Sequence, residues 1–280
     1  MISLILQQRK EILSIKALNN KINYMENLIK ELNKFKEKLT LDKQTILNED
    51  LLNRLSSVYP FNKFEYLISH LLANKVLSIE EYYDIRSSYI ERNRYLYLFD
   101  MAPRTFGQVW GERHLMEHIP EFLKPNTTRD KDYHGQYDLW LQEGIRIEVK
   151  ASRVVDDSSD ASLNEKALNS NSSKNFDMNF QQLKPSCCDI FVWMAVWLDK
   201  IDYWVIPSGV IKSCELRETL DNPNDYLYMS NQHGGSRRTE SGEVVEGQIH
   251  INKGNYDDFE KYRCELKDLY STIQKYFNKN

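Results

Sequence analysis

The chain has 280 residues, which is enough for one large or two modest domains. Hydrophobic residues make up 41% of it, so it can build a core and is neither a disordered tail nor a disulfide-stapled miniprotein. Its 37 Lys and Arg against 41 Asp and Glu give a formal net charge of -4, which argues against coating nucleic acid by bulk charge.

Several classes of protein lack their usual signal in this sequence. No run approaches the roughly 20 apolar residues of a membrane span, and the first ten residues lack the basic start and cleavage site of a secretory signal. The four cysteines contain no C-x2-C pair, so we expect small thiols in a reducing cytoplasm rather than a zinc site. No phosphate-binding or dinucleotide motif occurs, so no nucleotide cofactor is expected.

The first hundred residues are predicted to be helical. Apolar residues from Ile12 to Leu39 recur every three or four positions, which predicts a long amphipathic helix. This helix either pairs two subunits as a coiled-coil arm or folds back on its own domain. Ser78 with Glu81 has the capping-box spacing at a helix start. The further predicted helices are 48–57, 61–75 and 79–99.

Beyond Pro103 the pattern changes to short strands mixed with helices. Glu143-Gly144 is predicted to be a two-residue turn that joins two strands in a β-hairpin. Two continuous apolar runs further on are typical of strands covered on both faces of a sheet. The predicted strands are Tyr137–Gln142, Ile145–Ala151, Asp189–Leu198, Ile201–Pro207 and Gln248–Ile251. The predicted helices are Phe106–Phe122, Ala161–Leu168 and Tyr256–Phe277.

The hairpin carries the residues of greatest chemical interest. Glu148 and Lys150 are two positions apart on one strand, so their side chains project from the same face. Asp138 opens the partner strand and can lie near them. Two carboxylates beside a lysine suit a hard cation such as Mg²⁺, with the lysine next to a coordinated water. The alternative is a turn aspartate and a surface ion pair on a half-exposed strand.

Asp138 followed after nine residues by Glu148-x-Lys150 resembles the PD-(D/E)xK nuclease superfamily, and most closely type II restriction endonucleases. The resemblance covers about residues 104–208, with Tyr137 where the motif has proline. It implies that Asp138 and Glu148 are metal ligands, that Lys150 is the catalytic lysine and that Glu112 is an auxiliary ligand. Gln182 would support the site or contact DNA, and Gln181-Gln182 would belong to a helix ahead of the Asp189–Leu198 strand.

The fold implied by this resemblance is α/β (α+β), with a restriction-endonuclease-like mixed β-sheet core flanked by helices. We expect a helical region at 1–103 for dimerisation or for embracing DNA, a catalytic core at 104–210 and a recognition part at 211–280. The implied activity is Mg²⁺-dependent, sequence-specific cleavage of double-stranded DNA by a homodimer that works beside a cognate methyltransferase. The alternatives are a structure-directed or repair nuclease of the same superfamily, and a non-catalytic DNA-binding module.

A polar loop at 231–240 collects side chains that suit base edges, because Arg pairs with guanine and Gln or Asn pairs with adenine. The alternative is an exposed loop of solvated charges. Ser152 and Arg153 follow the catalytic strand and are candidate phosphate contacts. Four more residues could line the same cleft: Lys124, Arg129, Lys131 and His134. The candidate base-reading residues of the loop are Gln232, His233, Arg237 and Arg238.

Overall fold

The computed structural model of the chain describes residues 32–41, 43, 63–231, 237–239 and 244–278. It divides into two compact units. One unit consists of the chain up to Asp100 together with 161–165, and the other consists of Met101–Asp160 and the chain from Lys166 onward. Among the described residues, no helix is both long and apolar enough to cross a membrane.

The first unit is helical, as the sequence predicts. Helix α1 spans Lys63–Ala73, helix α2 spans Ile79–Arg92, and a 3-10 helix follows at Leu96–Asp100. The predicted helix 79–99 therefore ends earlier. Residues 32–36 are helical, whereas the rest of the predicted helix up to residue 31 and the predicted helix 48–57 lie outside the described residues. The small core of this unit comprises Leu32, Leu39, Leu67, Leu71 and Leu77.

The predicted capping box opens helix α2. The Ser78 hydroxyl accepts a hydrogen bond from the Glu81 N–H at 3.0 Å, and a Glu81 carboxylate oxygen accepts one from the Ser78 N–H at 2.8 Å. Both bonds satisfy N–H groups that the first turn of a helix leaves without an intrahelical partner. This prediction is confirmed.

The second unit contains a five-stranded mixed sheet, a four-stranded antiparallel sheet and a parallel pair of two short strands. The main sheet has the strand order β1-β2-β5-β6-β11, in which β2 and β5 are parallel and the other neighbours are antiparallel. A second sheet has the order β3-β4-β10-β9, and β7 pairs with β8. The strands are β1 Leu139–Trp140, β2 Arg146–Arg153, β3 Val155–Asp156, β4 Phe176–Leu183, β5 Ile190–Val196, β6 Ile201–Pro207, β7 Ile211–Ser213, β8 Leu227–Met229, β9 Arg237–Arg238, β10 Val244–Asn252 and β11 Arg263–Cys264.

The main sheet is covered on both faces. Every residue of β5 is buried, because alternate side chains enter two different cores. Trp193 lies on the face that packs on the second sheet, where its ring stacks on Phe180 with centroids 4.4 Å apart. Met194 lies on the other face, among residues of helices α3 (Glu112–His118) and α4 (Leu269–Phe277). The architecture is thus mixed α/β with a mixed sheet, and the prediction of two doubly covered strands is confirmed.

The predicted helix around Gln181-Gln182 is wrong, because this segment forms strand β4. Buried Met178 and Phe180 alternate with more exposed positions, which is a period of two rather than 3.6. The register against β10 skips one residue here, and Gln182 has a φ of 55°. The glutamine pair therefore belongs to a β-bulge.

Three other predicted helices differ from the structure. Ala161–Leu168 contains no helix. The segment predicted as one helix from Phe106 to Phe122 is a π-helix, Thr105–Gly111, followed by α3, which ends at His118. Ile119 is extended because it precedes Pro120, whose ring disfavours helical backbone at the residue before it. The predicted C-terminal helix is interrupted by β11, so only Leu269–Phe277 of it is α-helical.

The predicted β-hairpin is present as β1 and β2, with a longer turn than expected. The Leu141 N–H donates to the Ile145 carbonyl at 3.1 Å, so three residues rather than two form the turn. Gly144 has a φ of 89°, a conformation that glycine adopts without the steric cost of a side chain. The register Leu139↔Ile147 sets Asp138 beside Glu148 of β2.

The division of the chain falls at Asp100, close to the predicted boundary after 103. Strands β10 and β11 come from the region 211–280 and pair with β4 and β6 of the region 104–210. The separate roles assigned to these two regions stay predictions.

Candidate active site

The backbone of the hairpin holds Asp138 in place. The Asp138 N–H donates to the Ile147 carbonyl at 3.0 Å, and the Asp138 Oδ2 accepts the N–H of Val149 at 2.8 Å. In the second bond, a side-chain oxygen takes the N–H of Val149, which a longer β1 would have bonded through a backbone carbonyl. Asp138 is therefore fixed against the part of β2 where Glu148 and Lys150 lie.

Glu148 and Lys150 form an ion pair on one face of β2. The Lys150 Nζ lies 2.8 Å from the Glu148 Oε1, and the two side chains are only 16% and 13% exposed. The Asp138 side chain is close enough to influence the pKa of the Glu148 carboxyl. The structure thus brings together the three residues that the sequence singled out.

Two carboxyl groups close together in a buried site disfavour each other's charge. Burial raises the pKa of Glu148 well above its ordinary value, the nearby Asp138 raises it further, and Lys150 opposes the shift. One carboxyl of the pair is therefore stabilised in its protonated form. A cation placed between them would favour the doubly ionised state.

Cys188 is a neighbour of this cluster that sequence reasoning missed. The side chain is buried, and burial raises the pKa of its thiol, with a further increase from the charge of Glu148 and a decrease from Lys150. The thiol is therefore neutral and fills space behind the ion pair. Only the pairing of β5 with β2, in which Phe191 lies beside Glu148, brings it there.

Glu112 lies in the first turn of α3, which packs on the face of the main sheet that carries Ala151 and Met194. Glu148 and Lys150 are in register with Phe191 and Trp193 and share the opposite face, so the role of Glu112 as an auxiliary ligand stays a prediction. Its neighbour Gly111 allows the helix to lie close to the sheet, because an added Cβ would be 3.1 Å from the Met194 Cε and 3.6 Å from the Ala151 Cβ. The Glu112 side chain is 12% exposed and forms an ion pair with Lys124. Burial lowers the pKa of Lys124, and the charge of Asp138 opposes that shift.

Lys124 is positioned by a short extension of the sheet. The neighbouring residue Leu123 exchanges both backbone hydrogen bonds with Trp140 of β1, at 2.8 and 2.9 Å. The Arg129 guanidinium donates to the Lys124 carbonyl at 3.0 Å. Lys124 therefore lies beside the edge of β1, where it is the ion-pair partner of Glu112.

The candidate DNA-contacting residues have different surroundings, and some of them are only partly described. Ser152 is buried on β2. The Arg153 guanidinium donates to the Met101 carbonyl and lies 4.1 Å from the centre of the Phe106 ring. Gln182 is exposed in the β4 bulge. The DNA contacts predicted for these residues stay predictions.

The predicted recognition loop falls largely outside the described residues. Gln232 and His233 are not described. Arg237 and Arg238 form strand β9, which pairs with β10, but their side chains lie outside the described part. Their role in base recognition stays a prediction.

The donor atoms at the hairpin suit some metals better than others. Nowhere in the described residues do three or more His, Cys, Asp or Glu side chains form a group that could hold a metal. Asp138 and Glu148 supply two carboxylates, which fits Mg²⁺, since it is bound through one or two carboxylates with water and substrate phosphate completing the shell. They do not fit a structural zinc site, which needs four protein ligands, mainly sulfur and nitrogen.

The two histidines of α3, His114 and His118, make hydrogen bonds inside the fold. The His114 Nε2 lies 2.7 Å from the Tyr203 hydroxyl, and the His118 Nδ1 lies 2.8 Å from the His114 carbonyl. Burial and the neighbouring His118 lower the pKa of His114 to about 4. The ring is therefore neutral at physiological pH, and its contacts are those of a residue that anchors the helix.

Comparison of the chain with protein-family models gives no match, and comparison with curated proteins gives none either. The chemistry of the hairpin site therefore has to be argued from its own residues and geometry.

Proposed function

We propose that this protein is a Mg²⁺-dependent endonuclease that hydrolyses phosphodiester bonds of double-stranded DNA at a specific sequence, as type II restriction endonucleases do. The observation that carries this proposal is the convergence of Asp138, Glu148 and Lys150 on the hairpin. The order of these residues in the chain and their placement on adjacent strands both agree with the PD-(D/E)xK resemblance.

The chemistry requires a nucleophilic water, a way to offset charge on the phosphate and a departing 3′ oxygen. Asp138 and Glu148 would hold the Mg²⁺, which when bound favours loss of a proton from water and offsets the charge of the phosphate. The backbone N–H of Val149 fixes Asp138, so its carboxylate is already oriented before substrate arrives.

Lys150 is placed to act on the reacting atoms. Its ammonium group lies 2.8 Å from Glu148 and carries three donors, of which the ion pair uses one. The remaining donors can orient the attacking water or bond to a phosphate oxygen. Water attack on phosphorus and breakage of the bond to the 3′ oxygen leave a 5′-phosphate and a 3′-hydroxyl.

The core also supports the proposal at the level of fold. The resemblance implies an acidic residue on a helix, then the hairpin, then core strands, and α3 with Glu112, the β1–β2 hairpin and β5 follow one another in this order. The connection between β2 and β5 departs from it, since it is made of strands β3 and β4 and not of a helix.

The partners follow from the same proposal. A homodimer would match a palindromic DNA site through its two-fold symmetry. Base contacts would come from the loop with Gln232, His233, Arg237 and Arg238, and further DNA contacts from Ser152, Arg153 and Gln182. In a cell the enzyme would act in the cytoplasm as part of a restriction system with a methyltransferase that protects the same sequence.

The direct test is incubation of the full chain with a long unmethylated DNA in Mg²⁺, beside a reaction with EDTA, followed by sequencing of the fragment ends. Discrete fragments that share one terminal motif, and that require Mg²⁺, are the expected result. A smear without a common end sequence would instead favour a structure-directed or nonspecific nuclease. Absence of cleavage together with a Mg²⁺-independent gel shift would favour a DNA-binding module and refute the proposal.

A further inference from the structure

Lys150 of β2 has a fully buried tryptophan as its neighbour on β5. The parallel pairing of these strands sets Lys150 beside Trp193, just as it sets Glu148 beside Phe191. Paired residues project from the same face, and neighbouring strands lie about 4.8 Å apart, so the side chains of Lys150 and Trp193 adjoin. The indole therefore forms one wall of the space that the lysine side chain occupies.

Strand β1 does not reach Lys150 from the other side of β2. It begins at Leu139, which pairs with Ile147, three residues before Lys150. The Lys150 side chain is nevertheless only 16% exposed. We attribute the burial of its four-carbon stem to β5 and to the second sheet, which packs on this face of the main sheet through the residues of one shared core.

Three aromatic rings hold the indole of Trp193 in place. Phe180 stacks on it with centroids 4.4 Å apart and ring planes 16° apart, Phe191 meets it edge-on at 6.4 Å, and Phe259 lies at 6.1 Å. A lysine stem has many rotamers and is flexible when nothing confines it. A rigid ring along the stem of Lys150 therefore limits the positions that its ammonium group can take.

We propose that Trp193 is a positioning residue for Lys150, and that its indole directs the ammonium group toward the reacting atoms. The catalytic part of this inference rests on the proposed function. The ion pair with Glu148 fixes the distance from the nitrogen to one carboxylate, whereas the direction of the other donors depends on the stem. The Trp193 Nε1 makes no hydrogen bond within the described part of the chain, so the indole acts through its shape.

The packing can be tested in the wild-type chain without DNA. NMR of the protein with ¹³C-labelled lysine is expected to show nuclear Overhauser effects between the methylene protons of Lys150 and the indole protons of Trp193. Loss of these signals in Lys150→Arg assigns them to that lysine. A wild type that shows none of these effects would overturn the inference, whatever the protein does to DNA.

The effect on catalysis can be tested against a matched control. Trp204 of β6 pairs with Trp193 and is buried in the same core, but it lies one strand further from Lys150. Trp193→Leu and Trp204→Leu should lower the urea midpoint by similar amounts, because each deletes an indole from that core. Only Trp193→Leu should lower kcat for DNA cleavage by about tenfold or more, with KM changed by less than about threefold.

The conservative variant Trp193→Phe should keep kcat within about threefold of the wild type. It retains a flat ring and removes a buried donor that has no acceptor among the described residues, so it is expected to fold. Equal kcat values for Trp193→Leu and Trp204→Leu would overturn the inference, because the loss would then come from a loosened core. If the Leu variants do not fold, Trp193→Met and Trp204→Met fill more of the space and carry the same expectations.

These outcomes can be distinguished from failure of the proposed function. If the wild type does not cleave DNA, the nuclease proposal fails, and the NMR measurement still decides whether Trp193 packs on Lys150. If the wild type cleaves DNA but Trp193→Leu keeps the kcat of the control, only the positioning role of Trp193 is refuted.

Discussion

Replacement of Asp138 by Asn should inactivate the protein while leaving it as stable as the wild type or more so. The substitution keeps the size and planar shape of the side chain and an oxygen that can accept the Val149 N–H. It removes the negative charge that a cation needs. We therefore expect Mg²⁺-dependent DNA cleavage to fall by about 100-fold or more.

The gain in stability follows from the electrostatic repulsion between the carboxylates of Asp138 and Glu148. Repulsion between neighbouring like charges at an effective dielectric constant of about 20 is on the order of a few kcal/mol. Lys150 offsets part of this, and protonation of Glu148 relieves more, so we expect a gain of about 1–2 kcal/mol in the free energy of unfolding at alkaline pH. Asp138→Ala should instead lose about 1–3 kcal/mol, because the N–H of Val149 loses its acceptor.

The raised pKa of Glu148 determines how the free energy of unfolding changes with pH. The pKa of Glu148 is raised in the folded state, so the folded protein binds more protons than the unfolded chain, and stability falls as pH rises through that range. Asp138→Asn removes one cause of the shift and should flatten this fall. The gain of Asp138→Asn over the wild type in the free energy of unfolding should be largest at about pH 9 and vanish at about pH 5, where Glu148 is protonated.

Urea unfolding in EDTA at both pH values, together with cleavage assays in Mg²⁺, measures these effects. Asp132→Asn is the matched control, because Asp132 is an exposed acid on the loop before β1 and should change neither quantity. A variant Asp138→Asn that cleaves DNA at the wild-type rate would refute the catalytic assignment. A loss of stability as large as that of Asp138→Ala would refute the charge argument.

Three further substitutions test other parts of the site. Lys150→Met should lower cleavage by about 100-fold or more with little change in Mn²⁺ binding, and equal loss of both would show that the lysine acts only through the metal site. The stability of the wild type should fall from about pH 6.5 to about pH 4, because the imidazole of His114 binds a proton in the unfolded chain but stays neutral in the folded protein. His114→Gln should flatten this fall. Because the ring is partly exposed, we expect the slope to stay below about 1.4 kcal/mol per pH unit. Gly111→Leu should cost about 1–3 kcal/mol because it crowds Met194, whereas Gly107→Leu, where an added Cβ meets nothing within 4 Å, should cost less; equal urea midpoints would contradict this packing.

The arrangement of the hairpin was predictable because it depends on local pattern. Glu148 and Lys150 share a face through the two-residue period of a strand, and the glycine turn brings Asp138 back beside them. The two buried strands were equally evident, since continuous apolar runs such as Ile190–Val196 have few other stable environments. These features need only neighbouring residues to specify them.

Other features depend on contacts between distant parts of the chain. Strand β4 carries polar residues, and its strand form is set by packing of Met178 and Phe180 on the main sheet and by pairing with β10. Cys188 reaches the site only through the parallel pairing of β5 with β2. The partnership of Glu112 with Lys124 requires a helix and a loop to meet at the sheet edge, and no short motif encodes that meeting.

The pairing of β10 and β11 with much earlier strands has a consequence for synthesis of the protein. Strand β10 joins β4 across about 70 residues, and β11 joins β6 across about 60, so the second sheet is incomplete until Asn252 has been made and the main sheet until Cys264 has been made. A nascent chain would therefore expose the edge of β4 until β10 has been made and the edge of β6 until β11 has been made. Assembly of both sheets is thereby delayed, and premature termination before β10 would yield an aggregation-prone fragment in which both strand edges stay unpaired.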